Sequence, residues 1–150
     1  MAQTLTRILV HLIFSTKDRT PIITPEIEPE LFAYMGGISR EHGSPLLAAG
    51  GMPDHVHLLV SLSKNIALSE LVQHVKKDSS KWIKTKAPEF RGFSWQDGYA
   101  GMSIGQSGVE ATKTYLADQK RHHAKKTFKG ELVEFLEKYE IEFDEGFLWT

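Results

Sequence analysis

Residues 44–62 read SPLLAAGGMPDHVHLLVSL, two apolar runs broken by Pro53-Asp54. Proline presets a turn dihedral and aspartate tolerates the tight backbone beside it, so the spacing predicts an antiparallel hairpin with arms 44–52 and 55–62. Side chains alternate faces along a strand, so His55 and His57 project to one side, ~7 Å apart along the backbone, and Val56 to the other. Val56 is then a core residue, and the two imidazoles share the open face. Such a pair converges readily on one cation, yet it is also ordinary composition for a solvated sheet face.

The remaining elements follow outward from this hairpin. LTRILVHLIFS at 5–15 reads as a strand and STKDRTP as a basic loop behind it. Thr24 followed by Pro25 has the form of an N-cap with proline at the first helical position, and Ile27, Leu31, Phe32 and Met35 repeat at helical spacing until Gly43. Beyond the hairpin, Leu68, Leu71, Val72, Val75, Trp82 and Ile83 form one stripe over 68–85, the pattern of a helix lying on a sheet. FSWQDGYAGMSIG supplies a loop and a short strand. Ser107 and Glu110 have capping-box spacing, which predicts a helix from there to about Lys126, and ELVEFLEKY at 131–139 predicts a last one. The order β-α-β-β-α-β predicts an α+β, ferredoxin-like (RRM-like) antiparallel sheet with helices on one face, extended by C-terminal helices. No repeat or linker divides the chain, so 1–150 is expected to be a single domain with an acidic end segment, 130–150.

Composition narrows the chemistry. The 150 residues contain no cysteine, which excludes disulfides and thiolate metal sites and suits a reducing, cytoplasmic setting. The apolar run ILVHLIF is far too short to span a bilayer, and no membrane association is expected. The net charge of -1 hides an asymmetry: 130–150 carries seven acids and one lysine, leaving 17 basic against 12 acidic residues before it. Positive charge concentrates in HVKKDSSKWIKTK at 74–86 and again over 113–129. Lysine runs are ordinarily solvated helix faces, and alone they say little about phosphate.

Two histidines are an incomplete ligand set, because a divalent ion needs a third protein ligand and open positions for substrate. Tyr115 and Gln119 in TYLADQKRHH are four apart on an expected helix and therefore stack on one face. Each alone is usually a packed ring and a surface amide. Together with the histidines they suggest more: a phenol with a pKa near ~10 is a weak nucleophile, and an enzyme using it needs a metal-activated electrophile such as a phosphodiester. His122 and His123 are read as facing solvent or DNA, and His11 and His74 as structural or exposed. Trp82, Trp95 and Trp149 are read as packed more readily than as base-stacking. Tyr34 and Tyr139 lack a ligand partner in sequence, and Tyr99 is the one rival nucleophile.

A His-hydrophobic-His strand followed by Tyr-x-x-x-Gln resembles the HUH endonuclease superfamily. In particular, it resembles the single-tyrosine transposases of small bacterial insertion sequences, the IS two-hundred type and its REP-associated relatives. The likeness runs nearly end to end, through HLIFSTKDRTPII, MPDHVHLLVSL, KKDSSKWI, FSWQDGYAGMSI and VEATKTYLADQKRHH. The resemblance implies His55, His57 and Gln119 as ligands of Mg2+ or Mn2+ and Tyr115 as the catalytic nucleophile. It implies attack on single-stranded DNA with hairpin ends, leaving a 5′-phosphotyrosine and a free 3′-hydroxyl. It also implies a homodimer whose tyrosine helix can complete the partner subunit's site in trans. On this reading Lys17, Arg19, Lys76, Lys77, Lys81, Lys84, Lys120 and Arg121 are candidates for phosphate contacts. Two rivals remain: a domesticated, non-catalytic hairpin-binding module, and a metal-dependent hydrolase of small phosphate esters in which water attacks.

Overall fold

The hairpin forms where the apolar runs place it. In the computed structural model, which describes residues 2–146, β2 (Leu46–Met52) and β3 (His55–Leu62) pair antiparallel around Pro53-Asp54, with Gly50 opposite His57 and Met52 opposite His55. The β-branched run near the N-terminus becomes β1 (Ile8–Ser15), which pairs antiparallel with β3 on one side and with β4 (Ala100–Ile104) on the other. The sheet order β2-β3-β1-β4 is the ferredoxin-like one, with β3 inserted antiparallel between β1 and β2. Trp149 lies outside the described residues.

Alternation along β1 and β3 sorts their side chains into two layers. Val10, Leu12, Phe14, Val56, Leu58 and Val60 face α1 (Glu28–Glu41) and α2 (Leu68–Lys84) and form the main core. From the helices, Leu31, Met35, Leu71 and Val75 are at most 1 % exposed, each such burial contributing about 1.5–3 kcal/mol. His11, Ile13, His55, His57 and Leu59 take the opposite face. That face was expected to be open and is not: α3 (Val109–Ala117), α4 (Gln119–His122) and α5 (Phe128–Lys138) cover it. Leu116 and Val109 pack on Leu9 and Leu59, while Phe128, Leu132 and Leu136 pack on Ile13 and Met102. The imidazole pair is consequently buried, His55 at 1 % and His57 at 0 % exposure.

Helix boundaries depart from the sequence reading in three places. Thr24 opens a turn rather than the helix itself: its Oγ1 accepts from Ile27 N and its carbonyl from Glu28 N, and α1 starts at Glu28 with Pro29 in its first turn. The Ser107–Glu110 capping box does not form. A 3-10 turn at 106–108 precedes α3, and Gly108 stands at its N-cap without a side-chain cap bond. The helix expected to reach Lys126 breaks at Asp118 (φ -95, ψ 13), whose N–H bonds back to Thr114 and Tyr115 carbonyls. The chain resumes as the single turn of α4, which re-aims Gln119, His122 and His123.

Candidate active site

Three imidazoles and one carboxylate converge on the covered face. Register brings His57 beside His11 on β1, and His57 Nδ1 lies 2.8 Å from His11 Nε2. His55 Nδ1 lies 2.7 Å from Asp54 Oδ1, and His123 Nδ1 lies 2.7 Å from the Lys126 carbonyl. Carboxylates and carbonyls only accept, so His55 and His123 donate from Nδ1, and such anchors fix ring orientation in metal sites. The three Nε2 atoms point at Glu131 of α5, whose Oε1 is 2.9 Å from His57, 3.0 Å from His123 and 3.5 Å from His55.

The other carboxylate oxygen of Glu131 gathers the remaining pair. Tyr115 donates its hydroxyl to Oε2, and Gln119 donates its amide there at 3.2 Å. Gln119 Oε1 also sits 3.4 Å from His55 Nε2. All four residues singled out in the sequence therefore meet around one point, with Glu131 at its centre. His122 Nε2 stands 3.7 Å from Oε2 at the rim, its side chain 31 % exposed.

Electrostatics define this as a resting arrangement. Burial alone would raise Glu131, but the imidazoles of His123, His55 and His57 hold its carboxyl well below the usual range. Burial, with the adjacent Glu131 carboxylate, pushes the Tyr115 phenol well above its ordinary value. A phenol so raised and a carboxylate so lowered do not exchange a proton, and Tyr115 stays neutral here. Burial, reinforced by His57, pushes His11 down to about 3, and His11 is neutral. Burial likewise lowers His57. His55 overcomes its burial through Asp54 and Glu131 and is raised, so a proton on its Nε2 and a cation are alternatives at that position. The donor set fits a divalent ion: imidazole nitrogens and carboxylate and amide oxygens, each ring held from behind.

The basic candidates separate into groups. The 3-10 turn Lys17–Arg19 adjoins the His55 end of the sheet, since Thr16 N bonds to the Asp54 carbonyl. Lys120 bonds to Glu28 and the Gly51 carbonyl, tying α4 to α1 and β2, and Arg121 pairs with Asp118 at 2.9 Å. Lys77, Lys81 and Lys84 are exposed on α2, across the sheet from the imidazoles. Lys76 instead donates to the Gln96 and Gly98 carbonyls at 2.9 and 2.6 Å. Trp95 is a core residue, bonded through Nε1 to Ser79 Oγ, and Trp82 stacks on Tyr34. His74 stacks on His42. Tyr99, the rival nucleophile, has its ring beside the Lys76 ammonium.

Two site residues escaped the sequence reading. Glu131 was submerged in the bulk acidity of 130–150. His123 was placed toward solvent or DNA, yet its side chain is 5 % exposed and faces Glu131. The available signal was spacing: Gln119, His122 and His123 stand at i, i+3 and i+4, which is one helix face. His11, read as structural or exposed, is structural in the sense that it backs His57.

Comparison with known proteins agrees with this fold. The family model for "Transposase IS200 like" matches residues 4–119. The ISDra2 transposase TnpA of Deinococcus radiodurans is 25% identical over 114 residues, covering 73% of this chain and 81% of that protein. Among solved structures, a candidate transposase from Deinococcus radiodurans superposes with a TM-score of 0.62 at 23% identity, over 79% of this chain and 95% of the other. A REP-associated tyrosine transposase bound to a REP hairpin gives 0.60 at 14% identity, over 82% of this chain and 74% of the other. Since the matched span runs through both histidines, the tyrosine and the glutamine, the chain belongs to the IS200-like transposase family.

Proposed function

We propose that this protein is a metal-dependent single-stranded DNA transposase that nicks and rejoins strands through Tyr115, recognising hairpin ends. The observation that carries the proposal is the convergence of His55, His57, Tyr115 and Gln119, drawn from two distant segments, on one buried point. A Mg2+ or Mn2+ ion held by His55, His57 and Gln119 would polarise a phosphate oxygen and make phosphorus more electrophilic. Tyr115 Oη then forms the bond to phosphorus as the bond to the 3′-oxygen breaks, leaving a 5′-phosphotyrosine and a 3′-hydroxyl; the reverse step joins strands. The phenol loses its proton during attack and the departing 3′-oxygen gains one, so no net proton is released; Glu131, whose carboxyl is held low, is a poor acceptor for it, and Tyr115 must leave that contact to attack. Lys17 and Arg19 beside the His55 end, Lys120 and Arg121 on α4, and Lys77, Lys81 and Lys84 on α2 are the proposed phosphate contacts, while Lys76, a candidate by sequence, is taken up by the Gln96 and Gly98 carbonyls. A homodimer, with Tyr115 serving either its own or the partner subunit's site, belongs to the same reading.

The test is adduct formation. Wild-type protein with Mn2+ and hairpin-bearing single-stranded oligonucleotides should yield a denaturant-resistant protein–DNA product, and Tyr115→Phe should yield none. An undiminished adduct in that variant removes Tyr115 from the role. One observation favours the non-catalytic alternative: the Glu131 carboxylate occupies the centre of the cluster and holds the nucleophile. Tight hairpin binding with no cleavage across many sequences would decide for that module.

A further inference from the structure

The matched family span ends at Gln119, before His123 and Glu131, yet these two complete a geometry that Gln119 does not. We propose that His123 and Glu131 join His55 and His57 in a closed four-ligand site for a borderline transition ion of the zinc class, in place of Gln119. The inference rests on the reading of His55 and His57 as metal ligands.

Four observations carry it. The ligand atoms of these four residues all lie within 4.8 Å of one another. Two ligand atoms on a tetrahedral ion with bonds of about 2.0–2.1 Å stand roughly 3.3 Å apart. The Glu131 Oε1 to Nε2 distances of 2.9, 3.0 and 3.5 Å bracket that value. Second, each ring is fixed from behind through Nδ1, by Asp54, His11 and the Lys126 carbonyl, the outer support that metal-binding imidazoles need.

Third, His123 Nε2 is buried and makes no hydrogen bond: it is 3.0 Å from Glu131 Oε1 but off the bonding direction. Its Nδ1 already donates to a carbonyl, so Nε2 is the ring atom left to take a ligand, and a cation between it and the carboxylate oxygen would engage both. Fourth, three imidazoles and a carboxylate suit zinc or cobalt in four-coordination, whereas magnesium demands six largely oxygen ligands. Gln119 in this arrangement is held by its Nε2 on Glu131 Oε2, beside the Tyr115 hydroxyl, with its Oε1 3.4 Å from His55 Nε2 alone among the three imidazoles. The closed site thus keeps the nucleophile bound to a ligand carboxylate, and the Gln119 set belongs to a DNA-engaged state.

Zn2+ affinity of the full chain without DNA, measured by competition with a chromophoric chelator, separates the two ligand sets. His123→Ala and Glu131→Ala should each bind at least ~10-fold more weakly, and Gln119→Ala should match wild type. If Gln119→Ala weakens binding and His123→Ala does not, the closed site is overturned while the His55–His57–Gln119 reading stands. If His55→Ala also binds as wild type, both fall. Should Glu131→Ala fail to fold, the Co2+ form of the wild type decides. Intense visible absorption of a four-coordinate ion supports the site, and the faint absorption of a six-coordinate ion overturns it.

Discussion

Lys76 shows how a basic residue on the right helix can be committed elsewhere. Its ammonium bonds two carbonyls of the loop before β4 and lies 5.0 Å from the centre of the Phe14 ring, contacts that hold the loop to α2. Burial lowers it to about 8, opposed by Asp97. The unfolded chain therefore binds more protons at this residue between pH 8 and its ordinary 10.5, and stability rises with pH across that window, the folding penalty being full below 8. The stability of wild type relative to Lys76→Met should accordingly climb from pH 8 to 10.5 in denaturant titrations; a flat difference would refute the assignment. DNA binding gives the complementary expectation. Lys77→Ala or Lys81→Ala should reduce the salt dependence of hairpin binding by about one phosphate's worth each, a slope change of roughly 0.7–0.9, and Lys76→Met should leave the slope unchanged. At this scale the sequence singled out four side chains, His55, His57, Tyr115 and Gln119, that the fold brings to one point. It did not reveal Glu131, because a carboxylate's role depends on whether its helix turns inward, and local spacing is silent on that.

Among the elements, α3 owes its position to a glycine opposite His57. A Cβ built on Gly50 would stand 2.0 Å from the Leu116 carbonyl oxygen and 2.7 Å from its carbon, so the α3 backbone rests directly on β2. Both obstacles are main-chain atoms and cannot rotate aside. Gly50→Ala should force α3 back by about 1 Å and carry Tyr115, the neighbour of Leu116, with it. A displacement of that size costs on the order of 100-fold in a positioned reaction, and the overpacking about 1–3 kcal/mol of stability. Gly105→Ala, with nothing within 4 Å of the added carbon, is the control and should alter neither adduct yield nor melting temperature. Full activity in Gly50→Ala would show that this contact does not place Tyr115. The hairpin and both core helices were legible because apolar periodicity is a strong local signal. The break at Asp118 was not, since nothing in TYLADQKRHH disfavours a continuous helix; α4 is turned by tertiary contacts, including Lys120 reaching Glu28 and the Gly51 carbonyl.

Taken as a molecule, the chain covers both faces of its sheet, and the second cover is a functional constraint. No helix among the described residues is long and apolar enough to cross a membrane. α5 instead spends its apolar stripe, Phe128, Leu132 and Leu136, on Ile13 and Met102. That packing sets Glu131 between the imidazoles and Tyr115. A phosphodiester brought to Tyr115 Oη adds a second negative charge beside a buried carboxylate that stays ionised, and it needs the hydroxyl that Glu131 holds. Like charges a few ångströms apart with little water between them repel by several kcal/mol, more than α5 can absorb without moving. On the proposed function, engagement of DNA is therefore expected to displace α5. Amide hydrogen exchange on the wild type with a hairpin-bearing single-stranded oligonucleotide and Mn2+ should speed exchange across 128–138 and leave β1 and β3 as protected as in the free protein. Unchanged protection of α5 in a saturated complex would mean that the strand reaches Tyr115 with Glu131 still in place, and that the carboxylate accommodates the phosphate rather than yielding to it.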